Sequence, residues 1–146
     1  MKGRAQGEDG SVLVLVLGLF AVLLVLVGVV VNISSVVLAK RSLASAADGA
    51  ALSAAQALDY DVFYVRGPAE GVPLSDSGVR ERVAAYAGAA AHDQPGLQMA
   101  GRVEGGYVAV VTATRNVGLP FGGWVGVADV DLSAVARARA PLVAAR

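Results

Sequence analysis

The chain has no cysteine, which excludes disulfide frameworks and thiolate metal sites. It has a single histidine, His92, and aromatic residues make up 5% of its 146 residues. Neither sign of charge is in excess: 12 Lys and Arg stand against 12 Asp and Glu. Without a basic surplus there is no electrostatic footprint for nucleic acid, and without an acidic run there is no acidic tail. Phosphate-cradling glycine loops and the G-x-S-x-G nucleophile elbow are absent from the sequence. His92 is expected at the end of a helix, where a cation complements the dipole. Asp129 and Asp131 share one strand face, but two carboxylates are too few for a hard cation; pairing with Arg on a neighbouring strand is the expectation. With no nucleophile–base set, the reading is a protein that is not an enzyme. No cofactor, metal, small-molecule substrate or nucleic acid is expected.

What the chain has in surplus is aliphatic side chains. Hydrophobic residues make up 55%, above the roughly 45–50% of ordinary domains. No charged residue occurs from Gly10 to Ala39, and residues 12–31 read VLVLVLGLFAVLLVLVGVVV. About 20 helical residues span the roughly 30 Å hydrocarbon core of a bilayer. Val is a mediocre helix former in water, but in lipid the backbone must satisfy its own hydrogen bonds. A secretory signal is the competing reading, with a small-residue cleavage pattern at Ala44-Ser45-Ala46. Its apolar region is typically about 7–15 residues, shorter than this one. Lys40 and Arg41 directly follow the apolar run and are taken as membrane-flanking, so a retained anchor in membrane lipid is expected. Lys2 and Arg4 lie on the other side, so the positive-inside count is nearly tied, with a slight preference for a cytoplasmic N-terminus. Asn32, Ser34 and Ser35 are expected as interfacial polar residues rather than helix–helix glue. Gly18 and Gly28, ten apart, form no close-packed ridge.

Residues 42–58, SLASAADGAALSAAQAL, extend the helix as an Ala-rich stalk. Leu43, Ala47, Ala50, Ala54 and Leu58 form an apolar stripe, with Ser45, Asp48, Gln56 and Asp59 opposite. Gly49 is its weak point. Residues 60–78 are broken by Gly and Pro and read as a loop, with Tyr60, Phe63 and Tyr64 as satellite core. A second helix, capped by Ser77 or Asp76, runs to about Ala91 with Val79, Val83 and Tyr86 or Ala87 inward. Arg80, Glu81 and Arg82 form a solvated face. Alternation then predicts a strand from Leu97, a two-residue turn at Gly105-Gly106 that sets Val103 against Val108, a second strand over 107–115 and a third over 129–140. On the third, Val130, Leu132, Ala134, Ala136 and Ala138 point inward. Leu119, Phe121 and Trp124 either plug the end of the sheet or touch lipid headgroups or a partner. The fold class is α+β in a pilin-like layout: a long membrane-spanning helix, a stalk, a second helix and a small three-stranded antiparallel sheet. The expected divisions are a charged segment at 1–10, a membrane helix at 11–39, a helical extension at 40–59 and a small extracytoplasmic domain at 60–146.

The N-terminal pattern resembles TadG-type and TadE-like proteins of tight-adherence (Flp) pilus systems. The residues that carry the resemblance are Gly10-Ser11 before the apolar helix, Lys40-Arg41 after it, and Ala46-Ala47-Asp48-Gly49-Ala50-Ala51-Leu52. It covers roughly residues 8–58; the later Leu119-Pro120 and Trp124 are similar to short actinobacterial members. The resemblance implies a cytoplasmic N-terminus, a domain outside the cell membrane and a role in pilus assembly or anchoring. The partners implied are pilus-assembly or pilin-like membrane proteins. Candidate contact residues are Ala47, Asp48, Ala51, Phe121 and Trp124. Pilin-like members are cut after a Gly and carry Glu at the fifth mature position. Here a cut after Gly10 would put Leu15 there, and a cut after Gly3 would put Glu8 there but leave the polar start Arg4-Ala5-Gln6-Gly7. An uncut anchor is therefore expected.

Overall fold

The structure, a computed structural model, describes residues 8–59, 72–124 and 126–140. The expected aromatic cluster of Tyr60, Phe63 and Tyr64 lies outside the described residues. Helix α1 runs unbroken over Glu8–Ala54. Helix α2 covers Asp76–Ala90, and the strands are β1 Gln98–Glu104, β2 Val108–Gly118 and β3 Asp129–Arg139. The strands form one antiparallel sheet in the order β1-β2-β3, so the architecture is α+β as expected.

The first half of α1 and its second half obey different constraints. Residues 10–27 are exposed along every side, which only an apolar surrounding tolerates for Val and Leu at this density. Among the described residues this is the one helix long and apolar enough to cross a membrane, and almost none of its most apolar stretch is buried in the protein. From Leu43 onward one face of α1 packs inward: Leu43, Ala47, Ala50 and Ala54 are buried, as the stripe predicted, but the helix stops at Ala54 instead of running on to residue 58, and Leu58 pairs with Leu74 in an isolated antiparallel bridge. Alanines there meet Ala109, Ala113 and Ala136 of the sheet, so helix and sheet approach closely and the larger Leu43, Val79, Val83 and Val111 fill what remains.

Two glycines make close packing possible. A Cβ on Gly49 would collide with the hydroxyl and ring of Tyr86, so the weak point in the helix is the seat of the α2 tyrosine. A Cβ on Gly101 would fall 2.7 Å from Val83 Cγ2, so β1 is bare where α2 crosses it.

Three local expectations are corrected. The cap of α2 is Ser75, whose Oγ accepts from Gly78 N at 3.3 Å, rather than Ser77 or Asp76; Asp76 instead sits in the first turn, pairs with Arg80 at 2.8 Å and accepts from Val103 N at 3.4 Å. The β1–β2 turn contains Gly105, Gly106 and Tyr107, because Glu104 pairs with Val108. Both glycines take positive φ, 61° and 80°, and the added residue sets Val103 against Ala109 and Gly101 against Val111, turning Ala109, Val111 and Ala113 inward. Finally, Asp131 Oδ1 accepts from Asn116 Nδ2 at 2.8 Å where an Arg was expected; the arginine pair on this face is Arg137 with Glu104, at 3.7 Å.

Candidate contact surface

The sheet runs alongside α1 and ends level with its apolar segment. About ten strand residues and about 22 helical residues both cover roughly 33 Å. The start of β2 near the end of α1 therefore brings the β2–β3 connection back to the neighbourhood of residue 32. That connection, described at residues 119–124 and 126–128, is a tongue lying on α1. Phe121 N donates to Asn32 Oδ1 at 2.9 Å, and the Phe121 side chain covers Gly28, within 4.0 Å of where a Cβ would stand. Gly28 and Asn32, four apart and on one face, are the only positions among residues 10–34 that are not exposed. Trp124 lies tilted against Phe121 with ring centroids 5.7 Å apart, and the two line a groove with Val25, Gly28, Val29 and Asn32. Leu119 lines a second groove with Asn32, Ile33, Val36 and Val37.

The tongue is closed by its own backbone. Leu119 N donates to Ala128 O at 2.9 Å, Gly122 N to Leu119 O at 3.1 Å, Trp124 N to Phe121 O at 3.2 Å and Val127 N to Gly122 O at 3.0 Å. Gly122 is required where it stands, since a Cβ there would meet Leu119 Cβ at 2.8 Å and the Val127 carbonyl closer still. The aromatic pair thus lies along α1 instead of plugging the end of the sheet.

The remaining candidates fall elsewhere. Lys40 and Arg41 are exposed on α1, about 12 Å beyond Asn32 along the helix axis. Ala47 and Ala51 are buried in the chain's own core. Asp48 is exposed and shares a face with Leu52, which is 64% exposed. Ser34 and Ser35 donate their hydroxyls to the carbonyls of Val30 and Asn32, as Ser side chains inside a helix do. Asn32 does more, because its amide joins two parts of the chain 89 residues apart. Sequence reading missed this role, as it missed the packing role of Gly28. The available signal was the spacing Gly28-x-x-x-Asn32 together with a later uncharged aromatic loop. His92 is exposed just past α2.

A long apolar helix that continues into a small α+β unit defines the general class: a helix-tethered domain. Residues 10–57, about a third of the chain, match the family described as "Putative Flp pilus-assembly TadE/G-like", so this segment is similar to that family, in agreement with the resemblance read from its residues. The matched segment is α1 almost entire, apolar run and Ala-rich extension together. No curated protein and no solved structure matches the chain.

Proposed function

We propose that the chain is a non-enzymatic, single-pass component of Flp-type pilus assembly or anchoring, with a cytoplasmic N-terminus and its α+β unit outside the membrane. The observation that carries this reading is that the TadE/G-like match spans both halves of one continuous helix. The half exposed on every side suits lipid, and the other half is the spine of the folded unit. A cleaved signal fits less well: cutting near Ala44-Ser45-Ala46 would sever α1 inside the core and remove Leu43, which is fully buried. The chain acts by contact with other pilus-assembly or pilin-like membrane proteins. Its protein-facing surface is the exposed side of the extension, where Asp48 and Leu52 lie together.

The test is a C-terminally tagged chain in a host that carries the pilus system. Full-length mass in the membrane fraction, loss of the tag on protease treatment of spheroplasts, and crosslinks from a photoreactive residue at position 52 to pilus-assembly membrane proteins are expected. A soluble product lacking the apolar segment would refute the anchor. A membrane-bound chain that crosslinks to no pilus protein would leave the anchor standing and refute the pilus role.

A further inference from the structure

The β2–β3 tongue carries features that an aqueous surface loop does not need. From Val117 to Ala128 the sequence reads VGLPFGGWVGVA, without one charged or hydrogen-bonding side chain other than the Trp124 indole. Surface connections are ordinarily polar. Trp124 is 71% exposed and Phe121 37% exposed, with Val127 also open. The backbone amides of Leu119, Phe121, Gly122, Trp124 and Val127 all have acceptors within the chain, and Pro120 has no amide to satisfy. Satisfying these amides inside the chain lowers the cost of holding this non-helical backbone at the edge of a low-dielectric medium.

The depth of the tongue follows from the helix beneath it. If residues 12–31 fill a hydrocarbon core of about 30 Å, Gly28 and Asn32 mark its outer boundary. The eight residues from Asn32 to Ala39 then cross about 12 Å of headgroup layer before Lys40 and Arg41. Whatever surrounds Val25 and Val29 also surrounds Trp124, because all three line one groove. The hydrocarbon–headgroup boundary is where indole rings are favoured, with an apolar body in the chains and a polar edge toward water.

We infer that residues 119–128 form a membrane-interface anchor: Trp124 enters the lipid at the outer boundary while the Phe121–Asn32 hydrogen bond clips the tongue to the membrane helix. This inference rests on the anchored reading above. Its consequence is mechanical. The folded unit meets the bilayer at two points, the helix and the tongue, so its height and tilt are set rather than left to a swivelling stalk.

Trp124 is the single tryptophan, so its own emission reports its depth. The full chain is reconstituted into phosphatidylcholine vesicles, floated on a density gradient, and repeated with lipids brominated near the headgroup or near the chain end. The expected result is co-flotation, blue-shifted emission, strong quenching by shallow bromines with less by deep ones, and resistance to aqueous iodide. In Asn32→Leu, which leaves the β2–β3 ladder and core untouched, shallow quenching falls and iodide access rises. Co-flotation with Trp124 unquenched by either lipid and open to iodide would overturn the inference and leave the anchor intact. Shielding that grows with the protein-to-lipid ratio would mean that a second copy covers the tongue, which also overturns it. Failure to float would refute the anchor and this inference with it. An unchanged profile in Asn32→Leu would overturn the clip.

Discussion

Gly101→Ala tests how α2 sits on the sheet. Gly101 lies in the interior of β1 opposite Val111, and its added methyl would stand 2.7 Å from Val83 Cγ2, 3.3 Å from Val83 Cβ and 3.2 Å from Val79 Cγ1. Both valines are fully buried, and valine in a helix has one strongly preferred rotamer, so neither side chain can swing aside. The helix itself must move. Overpacking of this kind costs about 1–3 kcal/mol. Against it stands the entropy that glycine loses in a strand, which alanine recovers at about 0.5–1 kcal/mol. The overpacking outweighs it, leaving a net loss of about 0–2.5 kcal/mol. For a domain of this size each kcal/mol lowers the melting temperature by about 4–8 °C. The far-ultraviolet signal is dominated by α1, so the assay is amide hydrogen exchange of α2 and β1 in detergent, with calorimetry for the melting temperature. Val83→Ala removes the opposing methyls, so the double variant should be more stable than the sum of the two losses predicts, by a coupling of about 0.5–3 kcal/mol. A Gly101→Ala protein that melts higher than the parent, or a strictly additive pair, would show that α2 does not rest on this glycine.

Two further perturbations probe the same unit. Leu43→Ala deletes a large, fully buried side chain of α1 and should cost about 2–5 kcal/mol, read as faster exchange across β2 and β3 with α1 still helical before residue 36. Ser75→Ala removes the oxygen that accepts from Gly78 N and should cost about 0.5–2 kcal/mol, read as faster exchange confined to the first turn of α2.

Wherever the period was strong, the residues alone were sufficient. The apolar run set a helix with no polar side, and the stripe from Leu43 to Ala54 and the alternation of β3 each impose one buried face, because helix and strand present side chains at fixed intervals. Turn chemistry was legible in kind but not in count. Gly105 and Gly106 announce a reversal, yet the third loop residue, Tyr107, shifts the register by one and decides which face of β2 turns inward. Likewise Ser75, Asp76 and Ser77 can all cap a helix, and the choice falls to Ser75 because its backbone is already held in place, Ser75 N donating to Ala57 O at 2.9 Å.

The contact surface divides along the same line. Sequence by itself determined a membrane-length helix, an Ala-rich extension and a family pattern over that helix, since these are properties of neighbours along the chain. It also marked Phe121 and Trp124 as out of place in an ordinary loop. Only the tertiary structure decided that Ala47 and Ala51 belong to the core and that the aromatic tongue returns to Gly28 and Asn32. Those pairings depend on the sheet and the helix having matched lengths, roughly 33 Å each, so that a strand leaving the far end of α1 comes back to its apolar half. No periodicity encodes that match; it exists only once the two elements are packed side by side.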